Sequence, residues 1–328
     1  MPIVLPACLP RRKRQLFEIA AFPVTLLHSF ASDFAPHAYT ADRLAQMQGF
    51  LNGLALAAGD LLETHLAFPR EVHYVADLQR WLLSQMTVAM HFEHERDPAL
   101  PPISPKNLIG ALKETRIASR NTVHSFLQEL KRYGFVVPMP SLDNRNRHSR
   151  ATEMSEQLIR RYFDIHLRAL DLVDSGQRFA LSCRAPQLLP HAQPRFVRLL
   201  LAQEEWHRPP QSIAKFVRSD SGSSVLHDLI KAVPSLSSDM MSPIWVGKVS
   251  PNALSQRYRL SRTHAARLFA QARETGLLGW KNKSNRGDCW ISPDLVRAYR
   301  HWQALKLAAV SQAFREACET ADLHPLAA

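Results

Sequence analysis

The sequence predicts a mostly α-helical protein that carries small β-hairpins and is built from two similar halves. Glycine is scarce, at 11 of 328 residues, whereas good helix formers are common. Apolar residues recur at intervals of three and four along several stretches, which is the spacing of one helix face. A pattern that begins at residue 119 returns 142 residues later. The length favours two domains, and a hydrophobic content of 46% is enough to fill their cores.

The first half contains a short helix pair followed by a hairpin. Ser104 and Pro105 are typical of the start of one helix, and Ser119 is a favourable N-cap for the next. An apolar stripe follows at Val123, Phe126, Leu127 and Leu130. Gly134 can adopt the left-handed conformation of a C-cap. Residues 135–137 then begin a strand, and the arginine-rich turn at 143–150 returns as a second strand, which is the layout of a winged helix-turn-helix.

The second half repeats this plan. Ser261 and Gly276 match Ser119 and Gly134, each at a separation of 142 residues. The apolar stripe reappears at Ala265, Leu268, Phe269 and Ala272. The preceding helix, opened by Ser250, is predicted to be four residues shorter than its counterpart, close to one helical turn. The wing strands are predicted at Leu277–Trp280 and Cys289–Ile291.

The remaining helices frame these two units. Thr40 is predicted to cap a helix with an apolar seam over residues 44–65, which Pro69 ends. The seam could pack within the chain or form a homodimer, and both alternatives stay open. Further helices are predicted at Val72–Glu95 and from Thr152 to about Asp174. The predicted domains are an N-terminal arm (1–30), a first winged-helix domain (31–180), a proline-rich linker (181–194) and a second winged-helix domain (195–322), packed through long terminal helices.

The positive charge is confined to the two predicted winged units. Residues 104–150 contain nine Lys/Arg and three Asp/Glu, a net charge of +6, and residues 250–297 contain the same numbers. Together they account for the net charge of +12 of the whole chain. Such local concentration favours two contact regions for a polyanion, because a general solubility surface would be spread evenly.

The first unit resembles the MarR-type winged-helix transcription regulators. The resemblance is carried by Ile117–Val123, Leu130–Val136, Asp143–Arg145 with Arg147, and Ala151–Thr152. It covers residues 75–175 well and 195–320 more loosely. Members of this family dimerise through terminal helices, place the second helix of the motif in the major groove, and extend a wing arginine into the minor groove.

The resemblance implies that the helix Ser119–Lys131 enters the major groove and that Arg145 or Arg147 reaches the minor groove. The second unit lacks the Asp-x-Arg pattern of the wing, where Lys283 and Arg286 are the nearest substitutes. Because members usually have one winged domain per chain, two in tandem imply a single-chain pseudo-dimer on an asymmetric site.

Chemistry assigns roles to the polar residues of both units. Side chains predicted to approach base edges in the first unit are Arg120, Asn121, His124 and Gln128, since arginine pairs with guanine and Asn or Gln with adenine. Those predicted to contact phosphates are Ser119, Thr122 and Lys131. The matching set in the second unit is Ser261, Arg262, Thr263, His264 and Arg267. The hairpins contribute Arg145, Arg147, Arg150, Lys281, Lys283 and Arg286.

These features predict a bacterial, cytoplasmic, nucleoid-associated transcription regulator that binds sequence-specifically to two half-sites of double-stranded DNA. Two alternatives remain: a protein like the plasmid replication initiators, which also carry tandem winged helices, and a winged-helix protein-interaction module without DNA binding. No glycine-rich phosphate loop, nucleophile elbow or paired-carboxylate motif points to an enzyme, and no cofactor is expected.

Three further features bear on ligands and location. His91, His94 and Glu95 could bind a metal, although two histidines near a helix end are more often solvated. A small-molecule effector could bind between helices near Trp81, Tyr162 or Trp302, and core packing is the competing interpretation of these rings. The four cysteines, Cys8, Cys183, Cys289 and Cys318, have no metal-binding or redox spacing. No membrane segment is predicted, since no run of about 18 uninterrupted apolar residues occurs.

Overall fold

A computed structural model describes residues 36–115, 117–140, 148–234, 242–282 and 287–321. The chain is mostly helical, with one antiparallel sheet of two strands and one of three. The first half contains α1 Ala41–Gln46, α2 Phe50–Ala67, α3 Pro69–His73, α4 Leu78–Arg96, α5 Pro105–Ala111, α6 Arg120–Arg132, β1 Val136–Pro138, β2 Ser149–Ala151 and α7 Glu153–Asp174. The second half contains α8 Arg178–Arg184, α9 Leu189–Leu201, α10 Glu204–His207, α11 Gln211–Val217, α12 Gly222–Lys231, β3 Ile244–Lys248, α13 Pro251–Arg257, α14 Arg262–Glu274, β4 Leu278–Trp280, β5 Asp288–Ile291 and α15 Pro293–Thr320.

The long helix predicted from Thr40 to His65 is two helices. Thr40 caps α1, its hydroxyl accepting from the Arg43 amide at 3.2 Å, as predicted. The helix ends after six residues, and Gly49, with a φ of +81°, precedes α2. A glycine adopts this conformation without the steric cost that other residues meet, so the seam is interrupted although its periodicity continues.

The helix predicted over Val72–Glu95 is likewise divided. The short helix α3 ends at His73, and the carboxylate of Asp77 then accepts from the Arg80 amide at 2.8 Å to cap α4. The apolar seam of α2 is filled within the chain, because α2 packs against α7 on one side and α12 on the other. Leu54 and Ala58 are consequently buried.

The two predicted helix pairs are present and share their boundaries. The helices α6 and α14, called the repeat helices below, begin at Arg120 and Arg262 and each have 13 residues. The preceding helices α5 and α13 both have seven residues and a serine N-cap. The prediction of a shorter second leading helix is therefore wrong. The second half is four residues shorter in the segment between the two helices, which covers 112–118 in the first half and 258–260 in the second.

Each repeat helix is followed by an antiparallel hairpin. Strand β1 pairs with β2 in the first half, with Val136 opposite Ala151. The predicted strands of the second half are confirmed as β4 and β5. A third strand that the sequence pattern does not predict, β3, pairs with β5 and gives the order β3-β5-β4. In the first half an isolated bridge between Ile103 and Ser149 takes the corresponding place.

Residues 181–194, predicted as a linker, belong to the packed core. They include the end of α8, a 3-10 turn and the start of α9, and Leu188, Ala192 and Gln193 are buried. Helix α9 packs on α4 of the first half and on α15 of the second. Its two prolines differ in position: Pro190 lies in the first turn, where a missing backbone N–H costs no hydrogen bond, whereas Pro194 lies inside the helix and removes one. The helix forms in spite of Pro194, and the division into domains stays a prediction.

The C-terminal helix α15 packs against helices from both halves of the chain. It packs on α1, α7 and α9, and the hydroxyl of Ser311 accepts from the Tyr39 amide at 3.0 Å. Buried apolar residues of both halves form one contiguous core. Among the described residues, no helix combines the length and apolar character needed to cross a bilayer.

Candidate nucleic-acid interface

The repeat helix α6 presents a buried apolar face and an exposed polar face. The stripe Val123, Phe126, Leu127 and Leu130 is buried, as predicted. The side chains predicted to meet base edges, namely Arg120, Asn121, His124 and Gln128, are all exposed. Lys131 is half-buried. The helix is therefore fixed by its apolar face, and its other face is free to meet a ligand.

The N-terminus of α6 uses its hydroxyl residues for capping. Ser119 accepts a hydrogen bond from the Thr122 amide at 3.2 Å, and the two side-chain oxygens are 2.9 Å apart. Ser119 is exposed, whereas Thr122 is half-buried. The cap leaves other amides of the first turn without an intrahelical acceptor, so this end of the helix can bind an anion.

The repeat helix α14 has the same construction with one difference. Its apolar stripe is buried at Ala265, Leu268, Phe269 and Ala272, and its polar face exposes Ser261, Arg262, Thr263 and Arg267. His264 is half-buried, and its Nδ1 lies 3.3 Å from Nη2 of Arg267. His264 is thus held against its own helix, unlike the exposed His124 of α6.

Matching hydrogen bonds join each repeat helix to its hairpin. Gly134 and Gly276 both take positive φ, at +74° and +67°. The residue after each glycine donates to the helix, from Phe135 to Leu130 at 2.8 Å and from Leu277 to Ala272 at 2.9 Å. These residues in turn accept from Thr152 at 3.0 Å and from Ser292 at 2.8 Å. The base of each hairpin is consequently fixed to its helix in the same way.

The tips of the hairpins lie outside the described residues. This applies to Arg145, Arg147, Lys283 and Arg286. Two other predicted hairpin cations are described, and both are exposed: Arg150 on β2, and Lys281, whose amide donates to the Asp288 carbonyl at 3.0 Å. The described cations therefore flank the repeat helices at the bases of the hairpins.

Several cations of this surface have no acidic partner. Among the described residues, no carboxylate lies within salt-bridge distance of Arg120, Arg262 or Arg267, although fourteen ion pairs occur elsewhere in the same part of the chain. A guanidinium without a carboxylate partner can pair with phosphate or a base edge without first losing an ion pair.

Contacts that the sequence did not predict hold the repeat helices in place. Arg80 of α4 donates through Nη2 to both carboxylate oxygens of Glu129, at 3.1 and 2.8 Å. In the second half, Lys215 of α11 donates to the Thr275 hydroxyl at 2.9 Å. Each pair is more than 45 residues apart, so no local pattern could have indicated it. Glu129 is consequently an anchor for α6 and does not reduce the charge of the exposed face.

The histidines considered as metal ligands are engaged separately. His91 Nε2 lies 3.1 Å from the Glu156 carboxylate, and His94 Nδ1 donates to the Leu100 carbonyl at 2.7 Å. Within the described ranges, no group of three or more His, Cys, Asp or Glu side chains could hold a metal ion. The positions of both imidazoles are therefore accounted for by hydrogen bonds within the fold, around α4 and α7.

The three aromatic residues predicted to mark an effector site line one cavity. Trp81, Tyr162 and Trp302 surround a space of about 210 Å³ between the two halves. Leu130 and Phe135, at the end of α6, also border it. The cavity therefore extends from the interior of the molecule to the C-terminal end of the first repeat helix.

No protein-family model, curated protein or solved structure matches this chain.

Proposed function

We propose that this protein binds double-stranded DNA sequence-specifically and regulates transcription through two winged helix-turn-helix units. One observation carries the proposal: the chain builds the same Ser-capped helix twice, each time with a buried apolar face and an exposed face of arginine, histidine, asparagine, threonine or glutamine. A helix that served only as packing would need a buried apolar face, but its exposed face could contain polar residues of any kind. The repetition of side chains that can bind phosphates and base edges therefore supports a role in binding DNA.

The order of the elements supports winged units. In the second half, β3, α13, α14, β4 and β5 follow one another, and β5 lies between β3 and β4. The first half has the same order, with the Ile103 bridge in place of β3. A short helix, a turn, a second helix and a hairpin form the arrangement in which the second helix lies in the major groove.

Dimensions and charge agree with this placement. An α-helix with its side chains is about 10–12 Å across, close to the major-groove width of about 12 Å. Arg120 and Arg262 occupy the first turn of the repeat helices, the part that reaches bases in helix-turn-helix proteins. The hairpin strands, at the end nearest the repeat helices, would then place Arg150 and Lys281 along the phosphate backbone of the DNA.

The two units differ in ways that predict an asymmetric site. His124 is exposed on α6, whereas the equivalent position on α14 is Ala266. His264 contacts Arg267, whereas the equivalent positions on α6 are Thr122 and Ser125, so this contact has no counterpart there. Two unlike half-sites, read by one chain, are the expected target.

The first test is selection of bound sequences from random duplex DNA, followed by affinity measurements on the selected site. Arg120→Ala and Arg262→Ala should each weaken binding by about 1–3 kcal/mol, roughly fivefold to 150-fold, and relax preference at one base position. Arg184→Ala is the matched control, because Arg184 is exposed at the end of α8, a helix that packs on α7 and on the 3-10 turn. Affinity should also fall steeply with added salt.

The outcome separates the alternatives. Failure to enrich any sequence, with equal affinity for all three variants, would contradict DNA reading and favour a protein-interaction module. The presence of two units in one chain also fits a replication initiator. Binding at repeated sites in a replication origin would favour that function, whereas a single site at a promoter would favour transcription regulation.

A further inference from the structure

The cavity between the halves is large enough for a small aromatic molecule. Its volume of about 210 Å³ exceeds the roughly 150 Å³ of an engineered cavity that binds benzene. Apolar side chains from α2, α4, α7, α10 and α15 make up most of its lining, α12 adds Ser223, Ser224 and His227, and the cavity is partly open to solvent. A space of this kind is the usual form of a ligand site.

Aromatic rings form one side of this cavity. Trp206 and Trp302 stack with their centroids 4.1 Å apart and their planes within 5°. Trp81 lies 5.8 Å from Trp206 and 5.6 Å from Tyr162. These flat surfaces favour a planar, apolar occupant.

One amine lines the same cavity without a hydrogen-bond or ion-pair partner among the described residues. Lys306 of α15 is only 3% exposed, and its Nζ lies 5.7 Å from the ring of Tyr162 and 5.8 Å from that of Trp206. No hydrogen bond or ion pair to Lys306 occurs among the described residues. The indole N–H of Trp206, also buried, has no acceptor there either. A buried ammonium without a carboxylate is costly, so the neutral amine is favoured.

The titratable groups around Lys306 do not supply a compensating negative charge. His166 and Tyr162 face it from α7 and His227 from α12, while Tyr299 shares its helix. Burial lowers the pKa of His227 to about 3 and that of His166 well below its usual range, and it raises the tyrosine pKa values, so these groups are neutral near pH 7.

The cavity also contains carboxylates, but they are used elsewhere or lie beyond ion-pair distance of Lys306. Asp77 caps α4, and Glu71 belongs to the short helix α3. Burial lowers the pKa of Lys306 to about 7, so a large share of the amine is unprotonated at neutral pH. A desolvated, neutral lysine is the form that attacks carbonyl compounds.

We propose that Lys306 is a carbonyl-reactive amine and that the cavity accepts a planar aromatic aldehyde, which it binds as a reversible imine. The Nζ lone pair adds to the carbonyl carbon, and a proton moves from nitrogen to oxygen to give a carbinolamine. The hydroxyl group and the second amine proton then leave together as water, and the C=N bond forms. No electron is gained or lost, and water addition reverses the step. The inference does not depend on DNA binding.

The test uses the full-length protein, benzaldehyde and sodium cyanoborohydride at pH 7.5, with intact-mass and peptide-mass analysis. The reductant converts an imine into a stable benzylamine. Lys306 should be modified at least about tenfold faster than any of the other nine lysines, because only a small fraction of an exposed lysine is unprotonated at this pH. The rate at Lys306 should rise with a midpoint near pH 7.

Two variants make the result decisive. Lys306→Met should remove the fast modification, and Lys113→Met, which alters an exposed lysine, should leave it unchanged. Near-ultraviolet circular dichroism checks that both variants keep native packing. Equal modification of all lysines would overturn the proposal. So would binding of benzaldehyde in the cavity without modification of Lys306. Binding of benzoate but not of benzaldehyde would also overturn it, since that result would make Lys306 an anion-binding group only.

Discussion

Arg178, the first residue of α8, is a charged side chain with no solvent-exposed surface. Its guanidinium donates to Asp174 at 2.8 and 2.6 Å and to Asp171 at 3.0 Å. The Tyr39 hydroxyl donates to Asp174 at 2.7 Å, so the cluster connects the chain before α1 to the end of α7. The hydrogen bonds from Arg178 and Tyr39 offset burial and hold the pKa of Asp174 below its usual value, whereas burial raises that of Asp171.

Removing this guanidinium should therefore strongly destabilise the folded protein. Arg178→Met should lower the free energy of unfolding by about 3–5 kcal/mol, because two partly buried carboxylates would lose their counterion. Arg168→Met is the matched control, since Arg168 is 44% exposed in its 2.9 Å pair with Asp60 and should cost less than about 1 kcal/mol. Urea unfolding of the three proteins measures both values. Equal losses in the two variants would contradict a special role for burial.

At the scale of elements, the contact between α2 and α7 depends on a residue without a side chain. A Cβ placed on Gly53 would lie 2.8 Å from the carbonyl oxygen of Ala169 and 2.9 Å from Cγ2 of Val173. Both distances are shorter than van der Waals contact, and one of the atoms is backbone. The two helices can approach this closely only because Gly53 leaves the space empty.

Gly53→Ala should consequently destabilise the protein by about 1–3 kcal/mol, as overpacking of a core does, although alanine favours helix by about 1 kcal/mol. Gly110→Ala in α5 is the control, because a Cβ there would meet no atom within 4 Å. That variant should be neutral or more stable by up to about 1 kcal/mol. Thermal and urea unfolding would show the opposite signs. A stabilising effect at Gly53 would show that α2 and α7 separate readily.

The elements that could be predicted from the sequence depend on local rules. The caps Ser119 and Ser261 and the apolar stripes of the repeat helices are set within about one or two turns, and all are present. The sequence pattern does not predict strand β3, because its paired residues in β5 lie 40 or more positions away. The helix α9 was missed because its prolines suggest a loop, whereas contacts with α4 and α15 stabilise it.

The candidate site shows the same division between local and distant information. Exposure of Arg120, Asn121 and Arg262 followed from helical periodicity. The partnership of His264 with Arg267 is local in sequence but depends on side-chain rotamers, which no pattern specifies. The unpaired state of Lys306 could not be predicted, because it results from helices distant in sequence, among them α7 and α10, that pack on α15. Its sequence neighbours, Leu305 and Leu307, indicate only an apolar helix.

At the scale of the whole molecule, the two halves share one core. Helix α9, where a linker was predicted, packs on α4 and α15, and α12 packs on α2. Gln193 adds a buried hydrogen bond of 3.0 Å to the Gln85 carbonyl. Separating the halves would expose these apolar faces to water, at a cost of roughly 25 cal/mol for each Å². Neither half therefore has a complete core of its own.

The chain should consequently unfold in one cooperative transition, with equal calorimetric and van't Hoff enthalpies. Leu82→Ala in α4 and Leu226→Ala in α12 each remove a fully buried side chain from a different half. Each should cost about 2–5 kcal/mol and lower the midpoint of that one transition by several degrees. Differential scanning calorimetry is the measurement. Two separable transitions, with each variant shifting only one of them, would contradict a shared core, and the two units would then be independent domains. A single transition that both variants shift would mean that the two repeat helices belong to one cooperative unit, so that neither keeps its structure when the shared core is lost.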